Sequence, residues 1–150
     1  MKLSTKGRYG LRAMIDLALY SDEEAVSIQS ISARQNISDN YLEQLVRKLK
    51  KEGLVVSVRG AQGGYRLAKP ADEISVGDVL RALEGSLEAV SCGEGNNLHC
   101  QGEDLCVTRY VWQRINRSIQ ETVDSIMISQ LGEESRKVRE KGQIKVQKCD

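Results

Sequence analysis

Apolar residues recur at helical spacing in the first part of the chain. Over residues 8–20 they stand three or four positions apart, at Leu11, Met14, Ile15, Ala18 and Leu19, and this spacing predicts an amphipathic helix. Ser27 precedes Ile28 and Ile31 and is suited to cap a short second helix. Ser38 is suited to cap a third helix, whose inward positions are Leu42, Leu45, Val46 and Leu49.

The pattern then changes to that of a β-hairpin. Residues 54–58 are rich in β-branched side chains, and a glycine-rich run separates them from residues 65–67, which predicts two strands and a tight connection. Ser75 is suited to cap a further helix that ends near Gly85. Three short helices followed by a hairpin are typical of a winged helix-turn-helix. The predicted fold class is therefore mostly α with a small β wing (α+β).

The second half of the chain contains one long predicted helix. Residues 86–104 lack periodicity and contain three glycines, so we expect a loop there. A heptad-like seam then predicts a helix from about Asp104 to Ile128, and it consists of Leu105, Thr108, Trp112, Ile115, Ile119, Thr122 and Ile126. A helix of roughly 25 residues is about 36 Å long, more than so small a domain covers. A second copy of the chain is thus the predicted partner, and packing on its own domain is the alternative.

These patterns divide the chain into four expected parts. They are a winged helix-turn-helix domain over 1–85, a cysteine-containing loop over 86–104, a dimerisation helix over 105–131 and a charged, disordered tail over 132–150. A two-fold dimer with two DNA-reading helices predicts a near-palindromic DNA site.

Composition narrows the class of protein. The chain has 150 residues, enough for about one domain. Its longest apolar run is four residues, whereas a membrane span needs about 20. No apolar stretch follows the basic start, so we expect no secretory signal and a cytoplasmic location. Residues 1–70 hold 12 Lys and Arg against 7 Asp and Glu, and residues 71–150 hold 10 against 14, so the first half is the part suited to a polyanion.

The third predicted helix also has a polar face suited to reading DNA. Asn and Gln can pair with adenine, and Glu with cytosine, in the major groove, while Arg and Lys suit phosphates. The candidate DNA-binding residues are Ser38, Asn40, Tyr41, Glu43, Gln44, Arg47 and Lys48 on this helix and Ser57, Arg59, Gly60 and Gly64 on the wing. Lys50 and Lys51 are expected to lie toward phosphates as well.

Each of these features also has a simpler interpretation. A basic helix end is also typical of a solvated face, glycines are ordinary turn residues, and winged helices also serve as protein-interaction modules. A phosphate-binding loop is disfavoured, because the glycine run lacks the lysine and hydroxyl that end such loops. The polar face, the basic wing and the basic half-chain together favour double-stranded DNA as the partner.

Three of the four cysteines, Cys92, Cys100 and Cys106, lie within fifteen residues. Zinc sites commonly use gaps of about two to four residues, whereas these gaps are seven and five. Wide gaps bridged by glycines suit an iron–sulfur cluster, with His99 a candidate for the fourth ligand. Spacing alone leaves three possibilities open: a cluster, a zinc site completed by His99, and free thiols.

Several motifs together resemble one bacterial family. They are Leu3-Ser4-Thr5-Lys6-Gly7-Arg8-Tyr9-Gly10, Ile37-Ser38-Asp39-Asn40-Tyr41-Leu42-Glu43-Gln44-Leu45, Val58-Arg59-Gly60, Gly63-Gly64-Tyr65, the three cysteines with Cys100-Gln101-Gly102, and Trp112. In these motifs the chain resembles the IscR-type iron–sulfur cluster regulators, within the Rrf-type winged-helix repressors. The resemblance covers residues 1 to about 131.

The resemblance implies a homodimeric transcriptional regulator, not an enzyme. It implies that Cys92, Cys100 and Cys106 hold a [2Fe–2S] cluster, that the targets are cluster-assembly genes, with the assembly machinery as a partner, and that Glu43 helps to distinguish operator motifs. The family's histidine ligand is replaced here by Arg109, which has no lone pair to offer. The alternative functions are a nitric-oxide or redox-sensing repressor of the same family and, from another class, a cysteine-based enzyme or zinc-binding interaction module.

Overall fold

The structure is a computed structural model that describes residues 2–90 and 106–141. Its first half consists of α1 (Thr5–Tyr20), α2 (Ile28–Gln35), α3 (Asp39–Lys51), β1 (Val55–Val58), β2 (Gly64–Leu67), a 3₁₀ turn (Ala71–Glu73) and α4 (Val76–Glu84). The second half consists of α5 (Val107–Ser125) and α6 (Ile128–Glu140). Strands β1 and β2 are antiparallel, with Val55 opposite Leu67 and Val58 opposite Gly64. The predicted winged helix-turn-helix is confirmed.

Serine side chains start the helices where the sequence predicts. Ser27 Oγ accepts a hydrogen bond from the Ser30 N–H at 3.1 Å, and Ser38 Oγ accepts one from the Tyr41 N–H at 3.3 Å. Ser75 exchanges two hydrogen bonds of 3.0 Å with Asp78, which complete a capping box. Each cap satisfies backbone donors that a helix start leaves unpaired and stabilises it by about 1 kcal/mol.

One apolar core joins the winged domain with α6. Helix α1 lies at its centre and contacts α2, α3, α4 and α6. The largest fully buried apolar side chains are Met14, Leu17, Ile31, Leu42, Leu45, Leu49, Ile74 and Ile128. Burying one such side chain stabilises the fold by about 1.5–3 kcal/mol. Because Ile128 belongs to this core, the winged domain does not end at residue 85 as predicted.

The prediction of one continuous helix over 105–131 is wrong. Helix α5 ends at Ser125, and Ile126 and Met127 are extended. They pair with the segment before α4, because the Val76 N–H donates to the Ile126 carbonyl at 2.8 Å and the Ile128 N–H donates to the Ile74 carbonyl at 2.9 Å. These backbone hydrogen bonds end α5 without a glycine or proline. Its 19 residues make it about 28 Å long.

The predicted disorder from residue 132 is also wrong for the residues that the structure describes. Helix α6 continues to Glu140 and packs on α1, with Gly132 buried. The Arg139 guanidinium lies 5.2 Å from the centre of the Tyr20 ring. The charged side chains of this segment occupy the outer side of an amphipathic helix. Residues 142–150, including Cys149, lie outside the described residues.

The predicted seam of α5 packs partly on its own domain. Ile119 and Ile126 contact the apolar cluster formed by Val76, Leu80 and Leu87, so the alternative interpretation holds for the second half of α5. The apolar side chains that remain exposed are Val107 at 84%, Tyr110 at 68%, Val111 at 46% and Ile115 at 38%. Ile115 belongs to the predicted seam as well. At about 100° per residue, the mean direction of the four exposed side chains lies roughly a quarter turn from that of the seam.

Candidate nucleic-acid interface

Helix α3 has one buried face and one polar face. Leu42, Leu45, Val46 and Leu49 are at most 1% exposed. The predicted reading residues on the opposite face, namely Asn40, Glu43, Gln44, Arg47 and Lys48, are all exposed. The major groove of DNA admits an α-helix, and amide and carboxylate side chains on that helix reach the base edges. The structure therefore brings these five side chains together on one outer surface.

Tyr41 differs from the prediction, because it does not project freely from α3. It is half-buried and packs against the core. Its ring lies edge-on to Tyr9 at 5.9 Å, and its hydroxyl lies 3.0 Å from Thr5 Oγ1. Tyr41 thus fixes α3 against the start of α1, with Ser38 capping the same end of α3.

The contact between Tyr41 and Thr5 adds two residues that sequence reasoning missed. It brings the start of α1 beside the start of α3, and both Thr5 and the neighbouring Lys6 are exposed. Lys6 is therefore a further candidate for a phosphate contact. The available signal was the basic residues that precede the apolar stripe of α1, at Lys2, Lys6 and Arg8.

The wing is tied to α3 by a side-chain hydrogen bond. Lys50 Nζ, near the end of α3, donates to Ser57 Oγ on β1 at 2.9 Å. Lys50 was expected to face phosphates and Ser57 was expected to contact DNA, but their side chains are hydrogen-bonded to each other. Arg59, just beyond β1, is exposed and makes no hydrogen bond or ion pair within the described residues. The wing therefore carries an exposed Arg59 two residues beyond the position that is hydrogen-bonded to α3.

The two candidate glycines of the wing have different roles. A Cβ on Gly64 would lie 2.4 Å from the Val26 carbonyl oxygen, at a position where β2 pairs with the chain before α2. Gly64 is thus required for packing, whatever it does toward DNA. Gly60 has φ +112° and no neighbouring atom within 4 Å of a Cβ. Gly60 therefore serves the turn at the exposed tip.

Two carboxylates fix the position of α1 in the winged domain. Asp16 is fully buried and accepts hydrogen bonds from Arg34 Nε and a terminal Arg34 nitrogen, both at 2.8 Å, and from Gln35 Nε2 at 3.0 Å. Glu84 accepts from Ser4 Oγ at 2.6 Å and from the Ser4 and Gly7 N–H groups at 2.9 and 3.0 Å. Burial raises the pKa of Glu84, but these hydrogen bonds outweigh it and the pKa lies below its usual value.

Cys106 is the N-cap residue of α5, and its thiol is exposed. Its Sγ lies 3.2 Å from Thr108 Oγ1. The hydrogen bond from Thr108, supported by the backbone N–H of Arg109, lowers the pKa of the Cys106 thiol. A thiolate is the form of cysteine that binds metals, so the chemistry of Cys106 suits the predicted role.

Cys92, Cys100 and His99 lie outside the described residues. Within residues 2–90 and 106–141, no group of three His, Cys, Asp or Glu side chains could hold a metal ion.

Residues 3–134 match the model of the Rrf2 family, which is described as an iron-dependent transcriptional regulator. The chain belongs to the Rrf2 family. The HTH-type transcriptional regulator IscR of Erwinia tasmaniensis is 45% identical over 131 residues, which cover 87% of this chain and 78% of that protein. The IscR of Pectobacterium atrosepticum is 46% identical over 131 residues, which cover 87% of this chain and 79% of the relative.

Solved structures of Rrf2 proteins have the same fold. T. potens IscR shares 44% of its sequence with this chain at a TM-score of 0.71, over 97% of this chain and 93% of that one. CymR, the global cysteine regulator of B. subtilis, is 41% identical in sequence at a TM-score of 0.73, and the match covers 89% of this chain and 98% of the CymR chain. The chain is therefore an IscR-type transcriptional regulator of the Rrf2 family and not an enzyme. Among its described residues, no helix is long and apolar enough to span a membrane.

Proposed function

We propose that this Rrf2 protein is a homodimeric, cytoplasmic repressor controlled by a [2Fe–2S] cluster on Cys92, Cys100 and Cys106. The cluster sets the affinity or choice of a near-palindromic operator in double-stranded DNA. The targets are genes of iron–sulfur cluster biogenesis, whose assembly machinery loads the protein. The observation that carries DNA binding is the exposed polar face of α3, together with the exposed Arg59 of the wing.

The reading face divides into base-contacting and phosphate-contacting residues. Asn40, Glu43 and Gln44 lie in the first half of α3, and their side chains suit base edges. Arg47, Lys48 and Arg59 suit phosphates, which fix the orientation of the protein and make its affinity depend on salt. Because Tyr41 and Lys50 connect α3 to α1 and to the wing, contacts within the domain set the orientation of this face.

The chemistry of the donor set fits an iron–sulfur cluster. Cys106 supplies an exposed thiol with a lowered pKa at the start of α5, and Cys92 and Cys100 add two thiols of the same type. When bound, the cluster supplies a redox-active inorganic group. Arg109 takes the place of a histidine ligand and offers no lone pair, so the fourth ligand comes from elsewhere.

Dimerisation is supported by the exposed stripe of α5. Val107, Tyr110, Val111 and Ile115 are between 38% and 84% exposed along one side of this helix. Contiguous apolar surface of this kind marks an interaction site in a soluble protein. Two copies that bury this stripe against each other place two reading helices on one DNA duplex.

A continuous set of contacts links Cys106 to α3. Cys106 is the N-cap of α5, and Ile126 directly follows its last residue. The Ile126 carbonyl accepts the hydrogen bond from the Val76 N–H at the start of α4. Glu84 at the end of α4 holds the start of α1 through Ser4 and Gly7, and Thr5 of α1 contacts Tyr41 of α3. A change in the position of α5 is thus able to bias the orientation of α3.

The experiment measures the cluster and its effect on DNA binding together. Protein purified without oxygen is analysed for iron, acid-labile sulfide and visible absorbance, and then titrated onto operator DNA with and without its cluster. We expect equal amounts of iron and sulfide, and different operator affinities of the two forms. Cys106→Ser should abolish both results, whereas Ser118→Ala, a small change at an exposed position of α5, is the control and should abolish neither. Zinc without sulfide, or equal affinity of both forms for every operator, would contradict the proposal.

A further inference from the structure

One buried polar side chain in α5 has no part in the DNA-reading face. Asn116 is 6% exposed and is the one buried residue of α5. Its Nδ2 donates to the Val90 carbonyl at 3.0 Å, and its Oδ1 accepts from the Ala89 N–H at 2.8 Å. Both ends of the amide therefore bind the backbone of a distant segment.

That segment runs along α5 toward the helix start. Leu87 is 5% exposed and belongs to the apolar cluster that contacts Ile119 and Val123. Ala89 and Val90, which follow it, are held by Asn116, one turn nearer to the start of α5. The chain therefore advances antiparallel to α5, in the direction of Cys106.

Covalent geometry relates these hydrogen bonds to the cysteines. Cys92 follows Val90 by two residues, and two residues span at most about 7 Å. If Val90 were released, the last fixed point before Cys92 would be Leu87, five residues away, which corresponds to a span of at most about 18 Å. The span grows by the ratio of five residues to two, and the volume accessible to Cys92 grows by the cube of that ratio, roughly fifteenfold.

We propose that Asn116 is a positioning residue for the cysteine set. By holding Ala89 and Val90, it restricts Cys92 to the region within about 7 Å of Val90, so that less conformational freedom is lost when the thiolates converge. The inference rests on the proposed cluster function for its biological meaning. A residue that supports metal ligands from outside the ligand set typically affects affinity by about 10–100-fold, which agrees with the change in accessible volume.

The first test needs no cluster. In a Cys100→Ser, Cys149→Ser background, the remaining thiols are Cys92 and Cys106, and a short bismaleimide joins them within one chain. The rate of this cross-link is divided by the rate at which N-ethylmaleimide alkylates Cys106. We expect Asn116→Leu, which has a similar volume and no hydrogen-bonding group, to lower the ratio about tenfold. Gln120→Leu, the same chemical change at an exposed position of α5, should leave it unchanged.

The second test uses the protein with all four cysteines. Visible absorbance follows the loss of the cluster to a chelator, and we expect loss about tenfold faster in Asn116→Leu than in the parent and in Gln120→Leu. If Asn116→Leu does not fold, Asn116→Asp replaces it, because Asp keeps the acceptor for Ala89 and loses the donor to Val90. A smaller loss is then expected in both measurements.

The two proposals fail in different ways. An unchanged cross-linking ratio in Asn116→Leu, or in Asn116→Asp where that variant is used, would overturn the role of Asn116. A parent protein that takes up no iron and sulfide would overturn the cluster, while the cross-linking ratio would still decide whether Asn116 positions Cys92.

Discussion

The ion pair between Asp16 in α1 and Arg34 in α2 should stabilise the winged domain, and the loss of one partner should cost more than the loss of the other. The Asp16 side chain is fully buried, whereas that of Arg34 is 31% exposed. In Arg34→Ala the buried carboxylate keeps Gln35 as its partner and loses both guanidinium hydrogen bonds. In Asp16→Ala the guanidinium can turn toward water. We therefore expect Arg34→Ala to cost more.

The expected magnitudes follow from burial. Breaking a buried ion pair from one side typically costs about 3–5 kcal/mol. The exposure of Arg34 reduces the expected cost of Asp16→Ala to about 2–3 kcal/mol, while Arg34→Ala should cost about 3–4 kcal/mol. The double variant has no buried charge left unpaired, so its cost should be about 4 kcal/mol. The two single changes are then coupled by about 2 kcal/mol.

Equilibrium urea unfolding followed by circular dichroism measures these values. All variants are compared at one protein concentration, because the stability of the proposed dimer would depend on concentration. Arg34 also stacks on Tyr20, at 4.1 Å from the ring centre, and its loss removes that contact. Arg139→Ala is the control, since Arg139 lies over the same ring at 5.2 Å and should cost about 0.5–1 kcal/mol.

Additivity of the two single changes within about 0.5 kcal/mol would refute the reasoning. A smaller cost for Arg34→Ala than for Asp16→Ala would refute the argument from burial. Either result would mean that the carboxylate is stabilised chiefly by Gln35 and the surrounding backbone.

Three further outcomes are expected. Arg59→Ala should weaken binding to all DNA sequences alike and reduce the slope of log affinity against log salt by about one; a changed base preference in a salt series of anisotropy titrations would contradict a phosphate role. Gln44→Ala should relax specificity at one base pair by about 1–3 kcal/mol, and competition with single-base operator variants would expose a uniform loss instead. Because the pKa of Glu84 is lowered below 4.5 in the folded protein, its carboxylate stabilises the fold above the unfolded pKa and this contribution is lost as pH falls through the lowered value. The free energy of unfolding of Glu84→Gln should therefore fall less between neutral and acidic pH than that of the parent protein. If the free energies of the two proteins fall in parallel, Glu84 does not stabilise the fold in this way.

Local patterns were sufficient to predict the elements of the winged domain. Ser27, Ser38 and Ser75 cap the helices that follow them, because a cap depends on residues three positions away. The outer face of α3 was predictable for a similar reason, since helical periodicity assigns every position once the buried ones are known. Tyr41 lies at the border between the two faces, where its contact with Thr5 decides its side.

Features that depend on distant partners were not predictable. The apolar periodicity continues from α5 into α6 without a helix-breaking residue, and the break comes from pairing with the backbone around Ser75. Asp16 and Asn116 are polar residues in helices, and their partners lie 18 and 26 to 27 residues away. A single sequence assigns such residues to the solvent side, because burial of a polar group depends on a partner that only the fold supplies.

The placement of Ile128 has a consequence for how regulators of this architecture can be recombined. The chain leaves the reading domain after α4 and comes back to fill its centre with a side chain that is fully buried. A chimera that joined residues 1–85 to a foreign sensing helix would therefore leave a hole where Ile128 belongs, at a cost of about 2–5 kcal/mol. A recombined regulator has to keep α6 together with residues 1–85, because the core of the winged domain is completed by a side chain from the far end of the chain.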